Sequence, residues 1–313
     1  MFIEQTLVNT QDGYKEISKI SKGDYVLTAH NIYEQVQSIK TKNSNGVYRI
    51  QTQGNPELYA SGDTLFCVRR RKTVYNKETK TTERKFSAEK WVKAKDLTKD
   101  DFVLISKNKK VSTPYTRPMA WMYAKYFLNG FITKNKSVVF YLEKNKIAYF
   151  KKLAKDFSVN IKELKNRYKI EIFDEEFYKL CSETKELINP LFIQAADNIL
   201  KTFVMSLVED TEKNESNYYA IKSKNKKYIY QIAQIISNIN SFGGYSLFLS
   251  GEEKVSYRLL FNDEIPKQAN FVCIGNKLYQ PIRSVTEISS HRGVLVDLDV
   301  GSFAVNNIIT RGG

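Results

Sequence analysis

Cysteine and histidine offer the most obvious reactive side chains in this sequence, and their spacing argues against a metal or disulfide site. The three cysteines, Cys67, Cys181 and Cys273, are far apart, and only His30 and His291 accompany them. Because no two cysteines are spaced as a CxxC pair, we predict neither a zinc centre nor a disulfide framework. An intracellular, reducing compartment, cytoplasmic or nuclear, is the expectation for such a chain.

The charge balance points to a polyanionic partner. The chain carries 49 basic and 34 acidic residues, for a net charge of +15. Such an excess favours nucleic acid over a small acidic substrate, although a solvated, lysine-rich surface is the alternative interpretation. The sequence has no basic segment followed by an apolar run at its start and no stretch long enough to span a bilayer, so no membrane partner is expected.

The elements that must position any site change character along the chain. Residues 1–112 carry short apolar runs punctuated by Gly, Asn and Asp, which predict β-strands. In residues 113–268, helical stretches such as Met119–Leu128 and Lys144–Phe157 alternate with strand-like runs such as Val138–Leu142, which predicts an α+β region. Residues 269–313 return to β character. The sequence therefore predicts two domains, with the α+β domain inserted into the all-β domain.

Two internal repeats support this division. The segment Ile17–Leu27 recurs in register as Ala94–Leu104, each a polar turn with an aspartate followed by an apolar strand. In the inserted region, one helix ending near Gly130 and another ending near Thr211 are each followed by strands and a further helix. We therefore predict a pseudo-twofold β fold and an insert of two αββ-like halves, in a monomer with internal pseudo-symmetry.

Nearly the whole chain resembles one family of proteins. The β segments resemble the sequence blocks of inteins, in their order and spacing: Phe2–Gly13 with Lys22–Leu27, Trp91–Leu97 with Asp101–Leu104, Val296–Val300, and Phe303–Ile309. The segment Met119–Met122, entering the first helix of the insert, is similar to the mating-type-switching endonuclease group. The resemblance implies a horseshoe-like, pseudo-twofold Hint fold interrupted by a LAGLIDADG homing-endonuclease-like domain.

The resemblance also implies where the splicing residues belong. Inteins begin with Cys or Ser, because only a thiol or hydroxyl can carry the acyl group, and this chain has Met1. Thr64 stands where a histidine would protonate the scissile amide. The terminal His-Asn is replaced by Arg311 and Gly312, which neither transfer protons at neutral pH nor cyclise. Only Asp297 matches a residue type that the family uses, and hydrogen bonding to a turn is its alternative role.

The nuclease motifs have changed in a similar way. In the family, two central helices pack through small residues, here Ala124 and Ser206, and each delivers one carboxylate to a shared Mg²⁺ site. The first copy of the motif has Asn129 at the acidic position. In the second copy the ungapped alignment places Thr211 there, and Asp210 would serve as the metal ligand only after a one-residue slip. Mg²⁺ is therefore expected only if nuclease activity remains.

Double-stranded DNA is the predicted partner, because phosphate contacts do not depend on the metal site. Candidate contacts follow the two motifs at Lys134, Lys136, Lys222 and Lys224. A second basic segment, Arg69, Arg70 and Arg71, begins a loop of the β region that would extend the footprint along the duplex. For each group, a solvated surface is the alternative interpretation.

We interpret the chain as a degenerate or repurposed intein-like protein that binds DNA, with splicing residues absent and nuclease carboxylates largely lost. Whether it is an enzyme is left open. One alternative is an active LAGLIDADG homing endonuclease or intein whose splice-junction residues are mutated. Another is a structural module in which the basic surface binds RNA or a partner protein.

Overall fold

The structure is a computed structural model of the 313-residue chain. It describes residues 1–44, 46–78, 80–182, 187–242, 244–250, 256–264 and 271–312. The chain divides into two compact units, one formed by Met1–Lys109 with Lys222–Gly313 and the other by Lys110–Ile221. The boundary predicted between residues 268 and 269 lies outside the described residues.

The N-terminal part of the first unit is built from strands, as the alternating apolar runs predicted. They are β1 (Phe2–Ile3), β2 (Leu7–Thr10), β3 (Gly13–Glu16), β4 (Tyr25–Leu27), β5 (Tyr33–Gln35), β6 (Ile39–Ser44), β7 (Val47–Thr52), β8 (Leu58–Ala60), β9 (Leu65–Asn76), β10 (Thr81–Phe86), β11 (Lys90–Lys93) and β12 (Asp101–Ile105). Strands β9 and β10 form a long antiparallel hairpin, with Arg71 opposite Phe86 and Asn76 opposite Thr81.

The internal repeat of this region is visible as a repeated hydrogen bond. A 3-10 turn precedes β4 at Ile17–Lys19, and another precedes β12 at Ala94–Asp96. After the first turn, the backbone amide of Ser21 donates to the Asp24 carboxylate at 2.9 Å, and after the second turn the amide of Thr98 donates to Asp101 at 2.9 Å. The aspartate of each repeat therefore closes the same local turn before a buried strand.

The second unit carries the elements that position the central helices. They are α1 (Arg117–Asn129), β13 (Phe131–Ile132), β14 (Val138–Glu143), α2 (Ile147–Leu153), β15 (Val159–Glu163), β16 (Arg167–Ile172), α3 (Glu175–Ser182), α4 (Pro190–Ile193), α5 (Asp197–Leu207) and the start of β17 (Tyr219–Ser223). The strands pair in the order β13, β14, β16, β15. Helix α1 packs against α5 and against β14.

The bounds of α1 follow from its sequence. Thr116 caps its N-terminus by accepting from the amide of Met119, and Pro118 occupies the first turn, where a missing N–H costs nothing. At the other end the amide of Gly130 donates to the carbonyl of Tyr126 at 2.7 Å. A Cβ at residue 130 would fall 2.6 Å from the Cα of Tyr126, so this helix end requires glycine.

The chain returns to the first unit through β17 and continues with a helix and further strands. They are α6 (Lys226–Asn238), β18 (Tyr245–Ser250), β19 (Ser256–Phe261), β20 (Val272–Ile274), β21 (Lys277–Ile288), β22 (Gly293–Leu298), β23 (Phe303–Val305) and β24 (Ile308–Arg311). Helix α6 is fixed by buried polar groups: the Gln234 amide donates to the carbonyl of Ser106 at 2.9 Å, and Asn238 accepts from the amide of Asn108 at 2.9 Å. This helix is therefore part of the first unit.

The two ends of the chain fold into the same sheet system. Phe2 pairs with Val296, Val8 with Val305, and strand β7 runs antiparallel to β21. The ring of Phe2 packs edge-on against Phe303, with centroids 5.8 Å apart, inside an extensive apolar core. Strands distant in sequence thus build one β unit around this core.

Two sequence expectations differ from the structure in detail. The stretch Lys144–Phe157, expected as one helix, begins with a 3-10 turn and its α-helical part ends at Leu153. The second central helix ends at Leu207 rather than near Thr211, because the amide of Thr211 turns back to the carbonyl of Val208 at 2.9 Å. Within the described residues, no helix is both long and apolar enough to cross a bilayer.

Candidate functional site

Four of the five predicted splicing positions converge in the first unit. The backbone nitrogen of Met1 donates to Thr64 Oγ1 at 2.7 Å, and Thr64 donates back to the carbonyl of Met1 at 3.1 Å. Strand β1 brings Met1 there by pairing with β8 and β22, which also carries Asp297. Ser61, which sequence reasoning did not assign to the site, shares a hydrogen bond of 2.9 Å with Thr64.

Asp297 and Gly312 complete this cluster. A Cβ at residue 312 would fall 2.5 Å from Asp297 Oδ2, so the backbone of Gly312 lies directly against the carboxylate. Burial raises the pKa of Asp297, because a charged carboxylate is poorly solvated there. The positive charge of the Met1 amino group opposes the rise, as does the Leu298 amide, which donates to Oδ1 at 3.0 Å. Gly313 lies outside the described residues.

Arg311 is the one predicted splicing residue that is not part of this cluster. Its backbone pairs with Leu65, and its side chain lines a separate cavity of about 530 Å³ together with His30, Cys67 and Trp91. Burial raises the pKa of the Cys67 thiol to about 12, so it is not a ready nucleophile. The cluster around Met1 therefore holds hydroxyls and one carboxylate, and neither a thiol nor an imidazole among its described residues.

The central helices of the second unit pack through the small residues that the sequence indicated. Ala124 and Ser206 are both buried, and Ser206 donates to the carbonyl of Thr202 at 2.6 Å within its own helix. The Lys125 ammonium is also buried and donates to the carbonyl of Ser206 at 3.0 Å. A lysine therefore spans the contact between the two helices.

Two lysines neutralise the carboxylates at the end of the second helix. Glu209 forms ion pairs with both Lys125 and Lys146, the latter at 2.8 Å, and it accepts from the indole nitrogen of Trp121 at 3.1 Å. Asp210 forms an ion pair with Lys146. Sequence reasoning found Asp210 and missed both Glu209 and the three side chains that pair with Glu209. The available signal was Lys125, a charged residue inside an otherwise apolar helical stretch.

Burial lowers the pKa of these two lysines, and pairing with carboxylates raises it. Burial lowers the pKa of Lys125, and this effect exceeds the opposing attraction of Glu209. At Lys146, which is less buried, desolvation is outweighed by hydrogen bonds to Asp210 and Glu209, and the pKa is raised. Lys146 is therefore a firmly charged cation placed between the two carboxylates.

The remaining nuclease-motif residues, Asn129 and Thr211, form hydrogen bonds with backbone groups. The Asn129 amide nitrogen donates to the carbonyl of Tyr141 at 3.0 Å, and its oxygen accepts from the Tyr141 amide at 2.9 Å. Thr211 donates to the carbonyl of Val208 at 2.8 Å. Among the described residues, no group of three or more His, Cys, Asp or Glu side chains is arranged to hold a metal ion. The residues present do not fit a Mg²⁺ site, because the carboxylates of Glu209 and Asp210 already form ion pairs with lysines.

The three arginines at the start of the β9–β10 hairpin have partners within the first unit. Arg70 makes two hydrogen bonds of 2.7 Å to Asp101, whose side chain is fully buried. Arg71 pairs with Asp100 at 2.7 Å, and Arg69 donates to Tyr279 at 3.2 Å. Their assignment to DNA remains a prediction, and Arg70 in particular has a structural role.

The four predicted DNA-contacting lysines lie on turns and a strand. Lys134 and Lys136 belong to the tight turn between β13 and β14, where Lys136 has a φ of 56°. Lys222 is exposed on β17, and Lys224 is exposed just before helix α6. The first two lie in one unit and the last two in the other.

A basic row on the sheet of the second unit was missed from the sequence. Tyr141, Lys169 and Lys162 are cross-strand neighbours on β14, β16 and β15, so their side chains share one face. Arg167 lies on the same face, with its guanidinium 4.0 Å from the centre of the Tyr141 ring. The face also carries two carboxylates, Glu143 opposite Arg167 and Glu171 paired with Lys169 at 3.8 Å. On the opposite face, Phe140 packs against Phe150 of helix α2, with ring centroids 6.0 Å apart. The alternation of charged and apolar residues along Arg167–Ile172 was the available signal.

No family model and no curated protein matches the sequence. Similar solved structures include the homing endonuclease I-DmoI in complex with DNA and Mn, 14% identical, with a TM-score of 0.34 over 47% of this chain and 89% of the other. The N-terminal LAGLIDADG domain of DUF199/WhiA is 13% identical, with a TM-score of 0.32 over 48% of this chain and 79% of the other. The gp41-1 intein is 23% identical, with a TM-score of 0.21 over 29% of this chain and 81% of the other.

Proposed function

We propose that this chain is an intein-like protein with Hint and LAGLIDADG domains that binds double-stranded DNA and neither cleaves it nor splices. The observation that carries the proposal is the pairing of Glu209 and Asp210 with Lys125 and Lys146. Metal-dependent hydrolysis of a phosphodiester requires carboxylates that are free to hold the cation beside the phosphate. Here an ammonium group already takes the place of that cation.

The first central helix supports the loss of nuclease activity independently. Asn129 stands at its acidic position and uses both amide atoms to bind the backbone of Tyr141. A neutral amide supplies no charge to a divalent ion, and the oxygen of this one already accepts a hydrogen bond from the Tyr141 amide. Both halves of the shared site are therefore altered, each in a different way.

The cluster at Met1 supports the loss of splicing. A thioether has no proton to lose and cannot take up an acyl group, and the hydroxyl of Thr64 cannot replace an imidazole as a proton donor at neutral pH. Gly312, which contacts Asp297, has no amide side chain that could cyclise. We infer that the arrangement of a Hint centre persists here without its chemistry.

DNA binding is supported by the basic row of the second unit. Lys162, Lys169 and Arg167 share one face of the sheet with the aromatic ring of Tyr141, in a chain with a net charge of +15. Cations spaced along strands can contact successive phosphates, and that interaction needs no metal. Lys134 and Lys136, in the turn at the edge of this sheet, would add to the same surface.

Fluorescence anisotropy with random-sequence duplex DNA tests the proposal. We expect the same affinity in Mg²⁺ and in EDTA, a steep loss of affinity with added salt, and intact DNA after incubation. A Lys162→Glu/Lys169→Glu variant should bind about tenfold more weakly. Lys151→Glu/Lys152→Glu is the charge-matched control, because both lysines are exposed on α2, whose Phe150 packs on the other face of the sheet.

Three results would contradict the proposal. A double-strand cut in plasmid DNA with Mg²⁺ would favour an active homing endonuclease. Equal DNA affinity of the Lys162→Glu/Lys169→Glu variant and the Lys151→Glu/Lys152→Glu control would remove the basic row from the interface. Tighter binding to RNA than to duplex DNA would favour an RNA-binding module.

A further inference from the structure

A cavity in the first unit gathers cations from four separate segments of the chain. It has a volume of about 350 Å³ and is lined by residues of the β9–β10 hairpin, of β12 and the turn before it, and of β21. Four of its lining side chains are basic, namely Arg71, Arg84, Lys99 and Arg283, and the other lining residues are uncharged. Clefts lined by charges of one sign attract ions of the opposite sign, so the convergence of these cations in a concave site favours binding of an anion.

Most of this positive charge is not neutralised by the protein. Arg71 is paired with Asp100, which does not line the cavity. Arg283 donates to the neutral side chain of Gln53. The side chains of Arg84 and Lys99 make no hydrogen bond or ion pair with any residue in the described part of the chain.

The walls of the cavity suit a compact ligand. Phe86 and Phe102 both line it and pack edge to face, with ring centroids 5.0 Å apart and planes at 84°. The guanidinium of Arg71 lies 6.0 Å from the centre of the Phe102 ring, which holds this cation against an apolar wall. Small-molecule sites are typically of about 300–1,000 Å³, so the volume suits a small anion better than a bulky one.

We propose that this cavity binds a phosphate group. Phosphate is the common biological anion whose multiple charges and several acceptor oxygens can engage three or four guanidinium and ammonium donors at once. A backbone phosphate of nucleic acid and the phosphates of a free nucleotide share this chemistry. The site is separate from Glu209 and Asp210 of the proposed function, because its lining residues all belong to the first unit.

Isothermal titration calorimetry of the full chain with inorganic pyrophosphate tests the site. We expect saturable, single-site binding that weakens about tenfold or more in each of Arg84→Glu, Lys99→Glu and Arg283→Glu. Lys72→Glu is the matched control, because Lys72 is an exposed neighbour of Arg71 on β9 that does not line the cavity. Its affinity should stay within about twofold of the wild type.

The outcomes separate the proposal from general charge attraction. Absence of saturable binding, or equal weakening by Lys72→Glu and Lys99→Glu, would overturn it. If a glutamate variant does not fold, as judged by circular dichroism, Arg84→Gln/Lys99→Gln replaces it with the same expectation.

A competition experiment identifies the source of the phosphate. Displacement of pyrophosphate by a short random-sequence duplex would support a nucleic-acid phosphate. Displacement by adenosine diphosphate, with no effect of the duplex, would support a free nucleotide. Displacement by neither would leave pyrophosphate without a biological counterpart and would overturn the assignment.

Discussion

Gly312 lies against the carboxylate of Asp297 so closely that a Cβ at residue 312 would fall 2.5 Å from Oδ2 and 2.6 Å from Oδ1. The carboxylate cannot easily move aside, because Asp297 is only 5% exposed and its Oδ1 is held by the amide of Leu298. The last turn of the described chain and strand β22 are therefore fitted to each other without a side chain at residue 312.

Gly312→Ala should consequently destabilise the first unit. We expect the free energy of unfolding to fall by about 1–3 kcal/mol, the usual cost of forcing extra atoms into a packed site. Urea denaturation followed by circular dichroism measures it. Gly301→Ala is the control, because its nearest contact would be Glu34 at 4.0 Å. Identical denaturation midpoints for the two variants would contradict the close fit.

Asp297→Asn should be more stable than the wild type at neutral pH. Burial raises the pKa of Asp297 above its usual 3.8, so the folded state binds this proton more tightly than the unfolded state does. The stability contributed by the protonated carboxyl is fully present below pH 3.8 and is lost as pH rises through the folded pKa. Asparagine avoids the loss and keeps the acceptor for Leu298.

The measurement is the free energy of unfolding of both proteins as a function of pH. We expect an advantage for Asp297→Asn on the order of 1 kcal/mol at pH 7, disappearing toward acid pH. The convergence of the two curves below the usual carboxyl pKa serves as the internal control. A wild type that is more stable at pH 7 would show that attraction between the ionised carboxylate and the amino group of Met1 outweighs the cost of burial.

Arg70→Ala should act on stability rather than on DNA affinity. The substitution leaves the fully buried Asp101 without the two hydrogen bonds of its guanidinium partner, which costs roughly 3–5 kcal/mol in buried ion pairs. Arg71→Ala removes a partly exposed pair, for which about 0–1 kcal/mol is expected. Thermal melting of both variants checks the contrast, and similar melting temperatures would contradict it.

Lys125 and Glu209 should behave as a coupled pair. Lys125→Met leaves Glu209 with one ammonium partner fewer and removes the hydrogen bond to the carbonyl of Ser206. We therefore expect the free energy of unfolding to fall by about 2–4 kcal/mol. In a double-mutant cycle, Lys125→Met/Glu209→Gln should cost less than the sum of the single substitutions, by about 1–3 kcal/mol. Strict additivity would show that the two side chains do not interact.

Asn129→Asp should not restore a functional acidic position. An ionised aspartate cannot donate to the carbonyl of Tyr141, so two oxygens would face each other across the present bond. Because the site is exposed, we expect the free energy of unfolding to fall by only about 0.5–1.5 kcal/mol at pH 7. The difference should shrink in acid, where the protonated carboxyl can donate a hydrogen bond. Asn129→Ser provides a control that loses the amide without adding charge.

Local features of this protein could be predicted from its sequence because they depend on near neighbours. The pattern of apolar runs indicated the strands, and Asp24 and Asp101 at matched places indicated the repeated turn that both form. The helical stretch from Met119 was found from its apolar pattern, and in the structure Thr116 and Pro118 set its start. These preferences act over a few residues and are readable in any sequence.

Tertiary structure alone decided which charges meet. The partners of Glu209 are Lys125 and Lys146, and the partner of Arg70 is Asp101, in each case a residue far away along the chain. The sequence offers 49 basic residues with no sign of which are consumed by such pairs. Whether a charge is buried and paired or free to bind a ligand depends on distances that only packing sets, since electrostatic energies fall with separation and rise with desolvation.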